Sequence, residues 1–174
     1  VDKTINYVEN TSFRAGDYPF KDIDASPART FDEDYTTVNS ALSHNSSDAP
    51  DCYPMYGGWC KVTPTDGDES GLYYSLSLSA DTQYTFSCFV AGGKAHNFSV
   101  YVTDNAGNPI TERKILRGNN NWQRLHITFE TSGAATYRLY LVRDYATTHI
   151  TDFFYTSFWV CEDNDFLILP FNGA

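Results

Sequence analysis

The sequence is poor in positive charge and has no long apolar run. Twelve Lys and Arg side chains stand against 22 Asp and Glu in 174 residues, which gives a formal net charge of −10. Nucleic acids and anionic membranes both require a basic footprint, so we expect neither as a partner. No apolar run approaches the ~20 residues that a membrane-spanning helix needs. The chain opens with Val1-Asp2-Lys3 and no signal-peptide pattern, from which we expect an excised module.

The common catalytic motifs are missing as well. The sequence contains no Gly-x-Ser-x-Gly, no His-Glu-x-x-His and no phosphate-cradling glycine loop. Its four histidines are scattered without the spacing of metal ligands. A glycosidase needs only two carboxylates, but most of the carboxylates here fall in predicted loops without an apolar setting that would raise a pKa. We therefore expect no enzymatic activity.

Four cysteines leave the redox state open. Cys52 and Cys60 flank a loop and could be bridged, whereas Cys88 and Cys161 fall in predicted strands and could equally be buried thiols. Four cysteines allow three full pairings, and no Cys-x-x-Cys is present. The sequence therefore does not determine a disulfide.

Aromatic residues are abundant, with 13 Tyr and 12 Phe, and from Leu72 to Glu162 they fall in short segments. Each segment has four to eight residues, is rich in aromatic and β-branched side chains, and is bounded by turn residues. The clearest segments are Tyr84–Val90, Phe98–Val102, Trp122–Phe129, Tyr137–Val142 and Phe153–Val160. No window has a helical period over three turns. This spacing predicts an all-β fold, a sandwich or barrel of antiparallel strands.

We predict one domain over residues 1–174, with an irregular, loop-rich segment at 20–70. Most of the excess acid lies in residues 1–70, which carry 13 acidic and 5 basic side chains, as a solvated acidic surface would. The loop-rich segment holds Tyr53, Tyr56 and Trp59 next to Gly57-Gly58, and aromatics in such a loop are candidates for a binding surface. The alternative is that they cap the open end of the sandwich.

Alternation along the strands separates a core face from a free face. The free faces display Phe89, Tyr101, Arg138 and Tyr140, a mixture of rings and guanidinium groups that suits sugars, because pyranose CH faces stack on rings while hydroxyls take directional hydrogen bonds. Whether these four side chains meet depends on which strands share a sheet. Cross-strand aromatic pairs that only stabilise the sheet are the alternative. Trp122 and Trp159 are predicted to be core residues.

Several short motifs together resemble a known family. Tyr84-Thr85-Phe86-Ser87, Asn121-Trp122-Gln123-Arg124 with Ile127-Thr128-Phe129, and Phe158-Trp159-Val160-Cys161-Glu162 occur in the order seen in jelly-roll carbohydrate-binding modules of the four/nine type. Val8-Glu9-Asn10-Thr11-Ser12-Phe13 resembles the opening Asn-x-Ser-Phe-Glu segment of that family. The closing segment is also similar to related modules of bacteriophage tail and baseplate proteins, which often bind host-surface glycans. Residues 20–70 have no counterpart in the resemblance.

The resemblance suggests a structural calcium ion as a cofactor. At the positions that would bind the ion, however, this chain differs from the family. Family members commonly place Glu after the opening Phe and a pair of Asp in the last strand, whereas this chain has Arg14 and, near Thr156-Ser157, no acid. The acidic runs Asp66-Gly67-Asp68-Glu69 and Glu162-Asp163-Asn164-Asp165 could each hold calcium or be solvated turns.

The resulting hypothesis is a β-sandwich jelly roll that binds carbohydrate without cleaving it. The partner would be a polysaccharide or cell-surface glycan, and the setting extracellular or a virion tail or baseplate, where the domain serves phage adhesion or targets a glycan-degrading enzyme. Candidate ligand contacts are Tyr53, Tyr56, Trp59, Phe89, Tyr101, Arg138 and Tyr140. The first alternative is a structural domain of a tail or fibre protein that oligomerises through its parent. A glycan-active enzyme with an Asp/Glu pair is the second.

Overall fold

The computed structural model describes residues 35–44, 60–65, 69–92, 96–144 and 153–163. These residues form ten strands and no helix, and therefore no helix that could span a membrane. The strands are Tyr35–Val38 (β1), Ser40–His44 (β2), Cys60–Pro64 (β3), Ser70–Leu78 (β4), Gln83–Gly92 (β5), Asn97–Asp104 (β6), Lys114–Arg117 (β7), Gln123–Glu130 (β8), Ala135–Arg143 (β9) and Phe154–Glu162 (β10). The five predicted segments correspond to β5, β6, β8, β9 and β10, with ends that agree to within two residues.

The strands form two five-stranded antiparallel sheets. The first sheet has the order β1-β4-β9-β6-β7 and the second the order β2-β3-β10-β5-β8. Strands that are consecutive in the sequence alternate between the two layers, as in a jelly roll, except for β2 with β3 and β6 with β7, which pair within one sheet. The predicted all-β sandwich is confirmed.

The prediction of an irregular segment over residues 20–70 is wrong for its described part, which contains β1, β2 and β3. The chain passes from the first sheet to the second at Asn39, whose φ of 43° turns the backbone within one residue. Asn39 Nδ2 donates to the Glu69 carbonyl, 3.1 Å away, and the Asn39 carbonyl accepts from the Thr65 amide. These strands are only four or five residues long and have polar outward positions, so they lack the apolar runs that revealed the others.

Large aromatic side chains join the two layers in the core. The Trp159 ring lies 5.1 Å from Tyr35 of the first sheet and 5.1 Å from Phe86 of the second. Phe98 and Phe154 form a second contact between the sheets, also at 5.1 Å. The prediction that Trp159 is a core residue is confirmed, since the side chain is fully buried. Trp122, before β8, is only half-buried.

A register shift in β10 between Ser157 and Val160 helps to place Trp159 in this core. The Trp159 indole donates to Thr156 Oγ1 at 2.9 Å, and Thr156 donates to the Phe89 carbonyl at 2.8 Å. The buried indole N–H is thereby satisfied.

Cys60, Cys88 and Cys161 are all fully buried in strands. Burial raises the pKa values of the Cys88 and Cys161 thiols, which keeps both protonated. Cys52 lies outside the described residues, and so does its proposed pairing with Cys60.

Candidate functional site

The outer face of the first sheet carries a row of three tyrosines. Tyr73 of β4 is directly opposite Tyr140 of β9, and Tyr140 is directly opposite Tyr101 of β6. All three side chains are partly exposed. They therefore form one continuous row across the three central strands of the sheet.

Strand alternation explains why these tyrosines point away from the core. The flanking residues Leu72, Tyr74, Val100, Val102, Leu139 and Leu141 all belong to the hydrophobic core. Because successive side chains of a strand point to opposite faces, the residue between each of these pairs lies on the outer face.

The three rings stand against one another. Tyr101 and Tyr140 are stacked, with centroids 4.6 Å apart and an interplanar angle of 7°. Tyr73 and Tyr140 are tilted by 36°, with centroids 4.8 Å apart. Each end of the row is covered by an arginine: the Arg113 guanidinium lies 4.3 Å from the Tyr101 centroid and the Arg138 guanidinium 5.2 Å from the Tyr73 centroid. We call Arg113, Tyr101, Tyr140, Tyr73 and Arg138 the Tyr–Arg ladder.

The two arginines differ in their partners. Both terminal nitrogens of Arg113 bind the Glu69 carboxylate, a bidentate ion pair that links the segment before β7 to the start of β4. The hydrogen bond to Glu69 is the main reason why the pKa of Arg113 is raised. The Glu69 carboxylate beside the ladder thus neutralises the charge of Arg113.

Arg138 makes a weaker polar contact. Its Nη2 donates to Asn105 Oδ1 over 3.3 Å, beyond the usual range for such a bond. Among the described residues, no carboxylate pairs with Arg138, and its buried Nε has no hydrogen-bond partner.

A hydrogen-bonded turn after β6 supplies Asn105. Asp104 Oδ1 accepts from the amides of Ala106 and Asn108, and Oδ2 accepts from the Asn108 side chain at 2.8 Å. These hydrogen bonds, chiefly those from Asn108, lower the pKa of Asp104 below its ordinary value.

The ladder offers hydroxyl groups and ring edges more than open ring faces. Each tyrosine ring faces another tyrosine, an arginine or both. Burial and the nearby Glu69 raise the pKa of Tyr101 to about 12, so its hydroxyl remains a hydrogen-bond donor at neutral pH. The surface is therefore suited to a ligand rich in hydrogen-bonding groups.

The structure brings together three of the predicted contact residues and separates a fourth. Tyr101, Arg138 and Tyr140 all belong to the ladder, whereas Phe89 lies on the outer face of the second sheet. There it pairs with Arg124, whose guanidinium lies 5.5 Å from the Phe89 centroid. Tyr53, Tyr56 and Trp59 lie outside the described residues.

Sequence reasoning missed two residues of the ladder, Tyr73 and Arg113, and the ion-pair partner of Arg113, Glu69. Leu72, Tyr74, Leu76 and Leu78 alternate inward along β4, and this pattern could have assigned Tyr73 to the free face. Arg113 and Glu69 precede their strands, and their meeting depends on how the sheets are connected. No local sequence signal gives that contact.

The outer face of the second sheet is a different environment. Arg124 donates to Ser87 Oγ at 2.9 Å, and Ser87, Tyr155 and Glu162 on the same face are buried. Burial is the main reason why the pKa of Arg124 is lowered. Of the residues that the structure describes beside this face, Phe153 is a large apolar side chain that remains accessible, with 38% of its surface exposed.

The described residues contain no group of three or more His, Cys, Asp or Glu that could hold a metal ion. Both acidic runs considered for calcium extend beyond those residues, so calcium binding stays a prediction.

Comparison with solved structures defines the class of fold. With a TM-score of 0.58 at 10% identity, the chain is similar to the carbohydrate-binding module TmCBM61 in complex with β-1,4-galactotriose; the match covers 91% of this chain and 99% of that one. It is also similar to the arabinose-bound α-L-arabinofuranosidase MgGH51, with a TM-score of 0.64, 11% identity and 91% of this chain covered. The enzymatically active domain of tailspike protein 4 from bacteriophage CBA120 matches with a TM-score of 0.58, 12% identity and 90% of this chain covered.

The chain spans 26% of the arabinofuranosidase and 21% of the tailspike domain, but 99% of the solved TmCBM61 chain. Modules of carbohydrate-binding families 4 and 22 also match. No protein-family model matches the sequence, and no curated protein matches it significantly. The chain has the jelly-roll β-sandwich fold of carbohydrate-binding modules.

Proposed function

We propose that this domain is a non-catalytic carbohydrate-binding module and that the glycan lies along the Tyr–Arg ladder. The observation that carries the proposal is the in-register row of Tyr73, Tyr140 and Tyr101, held between two guanidinium groups on a partly exposed sheet face. Phenol hydroxyls and guanidinium N–H groups match the hydroxyls of a saccharide. The jelly-roll fold supports the same proposal, since two solved chains of carbohydrate-binding modules match over 99% of their length.

The mode of contact differs from simple stacking. Because the ring faces contact one another and the arginines, the glycan would meet ring edges, phenol hydroxyls and the ends of the guanidinium groups. An open sheet face buries little of a ligand and binding costs orientational freedom, so a single site would be weak. Several copies in a parent protein would raise the overall affinity through avidity.

The proposed setting is outside the cell, in a phage adhesion device or attached to a glycan-degrading enzyme. In either role the domain would hold a polysaccharide while a separate part of the parent protein acts on it. We place no catalytic step in this domain.

An oligomerising structural domain is the second candidate. β7 is an edge strand, and Ile115 on it has 60% of its surface exposed, with Ile110 nearby at 40%. An exposed apolar edge can pair with another chain. Sedimentation of the domain over a concentration series tests this candidate, which predicts association that Ile115→Lys abolishes.

A glycan array followed by affinity electrophoresis tests the carbohydrate proposal. Tyr140→Ala removes the middle ring and should weaken binding of the array-selected glycan by about tenfold or more, the effect of losing a central contact. Tyr140→Phe keeps the ring and removes only the hydroxyl, so its loss should be smaller and the fold should be retained.

The matched control is Phe153→Ala, which removes an exposed ring beside the second sheet. It should bind as the wild type does. Absence of any bound glycan, or an equal loss in Phe153→Ala and Tyr140→Ala, would contradict the proposal.

A further inference from the structure

The two ends of the Tyr–Arg ladder differ in charge. At the Tyr101 end, Arg113 is neutralised by a bidentate pair with Glu69. At the Tyr73 end, Arg138 stacks on the ring and has no carboxylate partner among the described residues. At one end of the row the arginine is therefore paired with a carboxylate, and at the other end it is not paired with one among the described residues.

We propose that the ladder binds an anionic glycan and that Arg138 recognises its acidic group at the Tyr73 end. This inference rests on the proposed carbohydrate-binding function and adds the class of sugar. The shared chemistry is a carboxylate or a sulfate ester on a saccharide, since both present oxygens that a planar guanidinium binds in pairs.

The contacts of Arg138 leave it available to such a group. Its Nε is buried, so Nη1 and Nη2 are the donors that a ligand can approach. Within the described part of the chain, Nη2 makes only the 3.3 Å contact with the neutral Asn105 side chain. A charge-assisted bond to an anion is shorter and about twice as strong as a neutral one, so the anion would displace or share this contact.

The residues around Arg138 also favour an anionic ligand. Ser75 and Thr103 are the cross-strand neighbours of Arg138 and bring hydroxyl-bearing side chains rather than carboxylates. The tyrosine hydroxyls along the ladder donate to sugar oxygens while the guanidinium binds the acid.

The overall negative charge does not oppose this role at short range. Residues 71–174 carry 9 acidic and 7 basic side chains, so most of the net charge of −10 comes from residues 1–70. Exposed charges farther apart than about 8–10 Å are largely screened at physiological salt, whereas the stacked, partly buried guanidinium acts on contact.

Paired polymers provide the test. Binding of polygalacturonate is compared with that of its methyl ester, and dextran sulfate with dextran, so that the members of each pair share a sugar backbone and only one of them carries the acidic group. The wild type should prefer one anionic polymer over its neutral partner by about tenfold or more, as expected for a charged hydrogen bond. The pair that shows the preference identifies carboxylate or sulfate as the recognised group.

Three variants assign the preference to a residue. Arg138→Gln should abolish the preference while leaving weak binding to the neutral polymer, and Arg138→Lys should restore part of it through its charge. Arg117→Gln is the matched control, because it removes an exposed guanidinium on β7 of the same sheet outside the ladder. It should keep the preference within about twofold, as expected for a screened surface charge.

The outcomes distinguish this inference from the proposed function. Equal binding of charged and neutral polymers, equal effects of the Arg138 and Arg117 substitutions, or binding confined to neutral array glycans would overturn the anionic assignment and leave carbohydrate binding intact. A wild type that binds neither these polymers nor any array glycan would overturn both.

Discussion

Tyr101 is the ladder residue whose environment can be measured by titration. Burial and the Glu69 carboxylate raise its pKa from 10 to about 12, although Arg113 opposes the shift. The folded protein therefore retains a proton between pH 10 and 12 that the unfolded chain releases. Because the unfolded state then binds fewer protons, stability falls as the pH rises through this window.

Tyr101→Phe should remove that pH dependence. Between pH 10 and 12, the free energy of unfolding of the wild type should fall by about 1–2 kcal/mol more than that of the variant, a value reduced from the full two-unit shift because the ring is only partly buried. Urea unfolding of both proteins at several pH values measures the difference. Below pH 10, the free energies of unfolding of the two proteins should change with pH in the same way. If they continue to do so up to pH 12, the pKa of Tyr101 is not raised by its surroundings.

Single residues also show what sequence can and cannot reveal about the site. Alternation predicts that Tyr101, Arg138 and Tyr140 leave the core, because each lies between two apolar strand residues. The position of Arg113 over Tyr101 follows from the path of the chain between β6 and β7, which no local pattern encodes. Whether any of these residues binds a ligand remains a prediction.

Among the elements, the pairing of β4 with β9 holds the ladder in register. Gly71 lies two residues before Tyr73 and opposite Val142 of β9. A Cβ added at Gly71 would lie 2.1 Å from the Leu141 carbonyl oxygen, a backbone atom that cannot move away without shifting the strand. The absence of a side chain at this position thus allows the close approach of the two strands.

Gly71→Ala should destabilise the domain by about 1–3 kcal/mol, the usual cost of overpacking. Because β4 must shift against β9, the variant should also weaken glycan binding through Tyr73. Gly133→Ala is the control: a Cβ there meets nothing within 4 Å, and its stability should be unchanged or slightly higher. Thermal unfolding compares the two, and equal melting temperatures would show that β4 and β9 tolerate a Cβ at Gly71.

The elements that sequence reasoning found all have long apolar alternation, although β4, with nine residues and the same alternation, is not among them. β5, β6, β8, β9 and β10 have eight to ten residues each, and aromatic and β-branched side chains mark their core faces. β1, β2 and β3 have four or five residues and depend on pairing with neighbours, so their existence is determined by tertiary contacts. The prolines and acidic residues around these strands are typical of loops, and the sequence pattern therefore predicts a loop-rich segment there.

For the whole molecule, the two-layer architecture follows from composition and spacing, but the assignment of strands to layers does not. Phe89 and Tyr101 both alternate away from the core, yet the jelly-roll connections place them on opposite outer faces. A candidate site that includes both is thereby divided, and the outer face of the first sheet holds the in-register tyrosines between two arginines.

Nuclear magnetic resonance mapping of the glycan-binding surface tests the central claim most directly. An isotope-labelled domain is titrated with the glycan that it selects on an array, and the backbone and side-chain shifts are followed. The account predicts the largest shifts at Tyr73, Tyr101, Tyr140 and Arg138, with little change at Phe89 or Phe153. Shifts concentrated on the outer face of the second sheet, with the ladder unaffected, would contradict it.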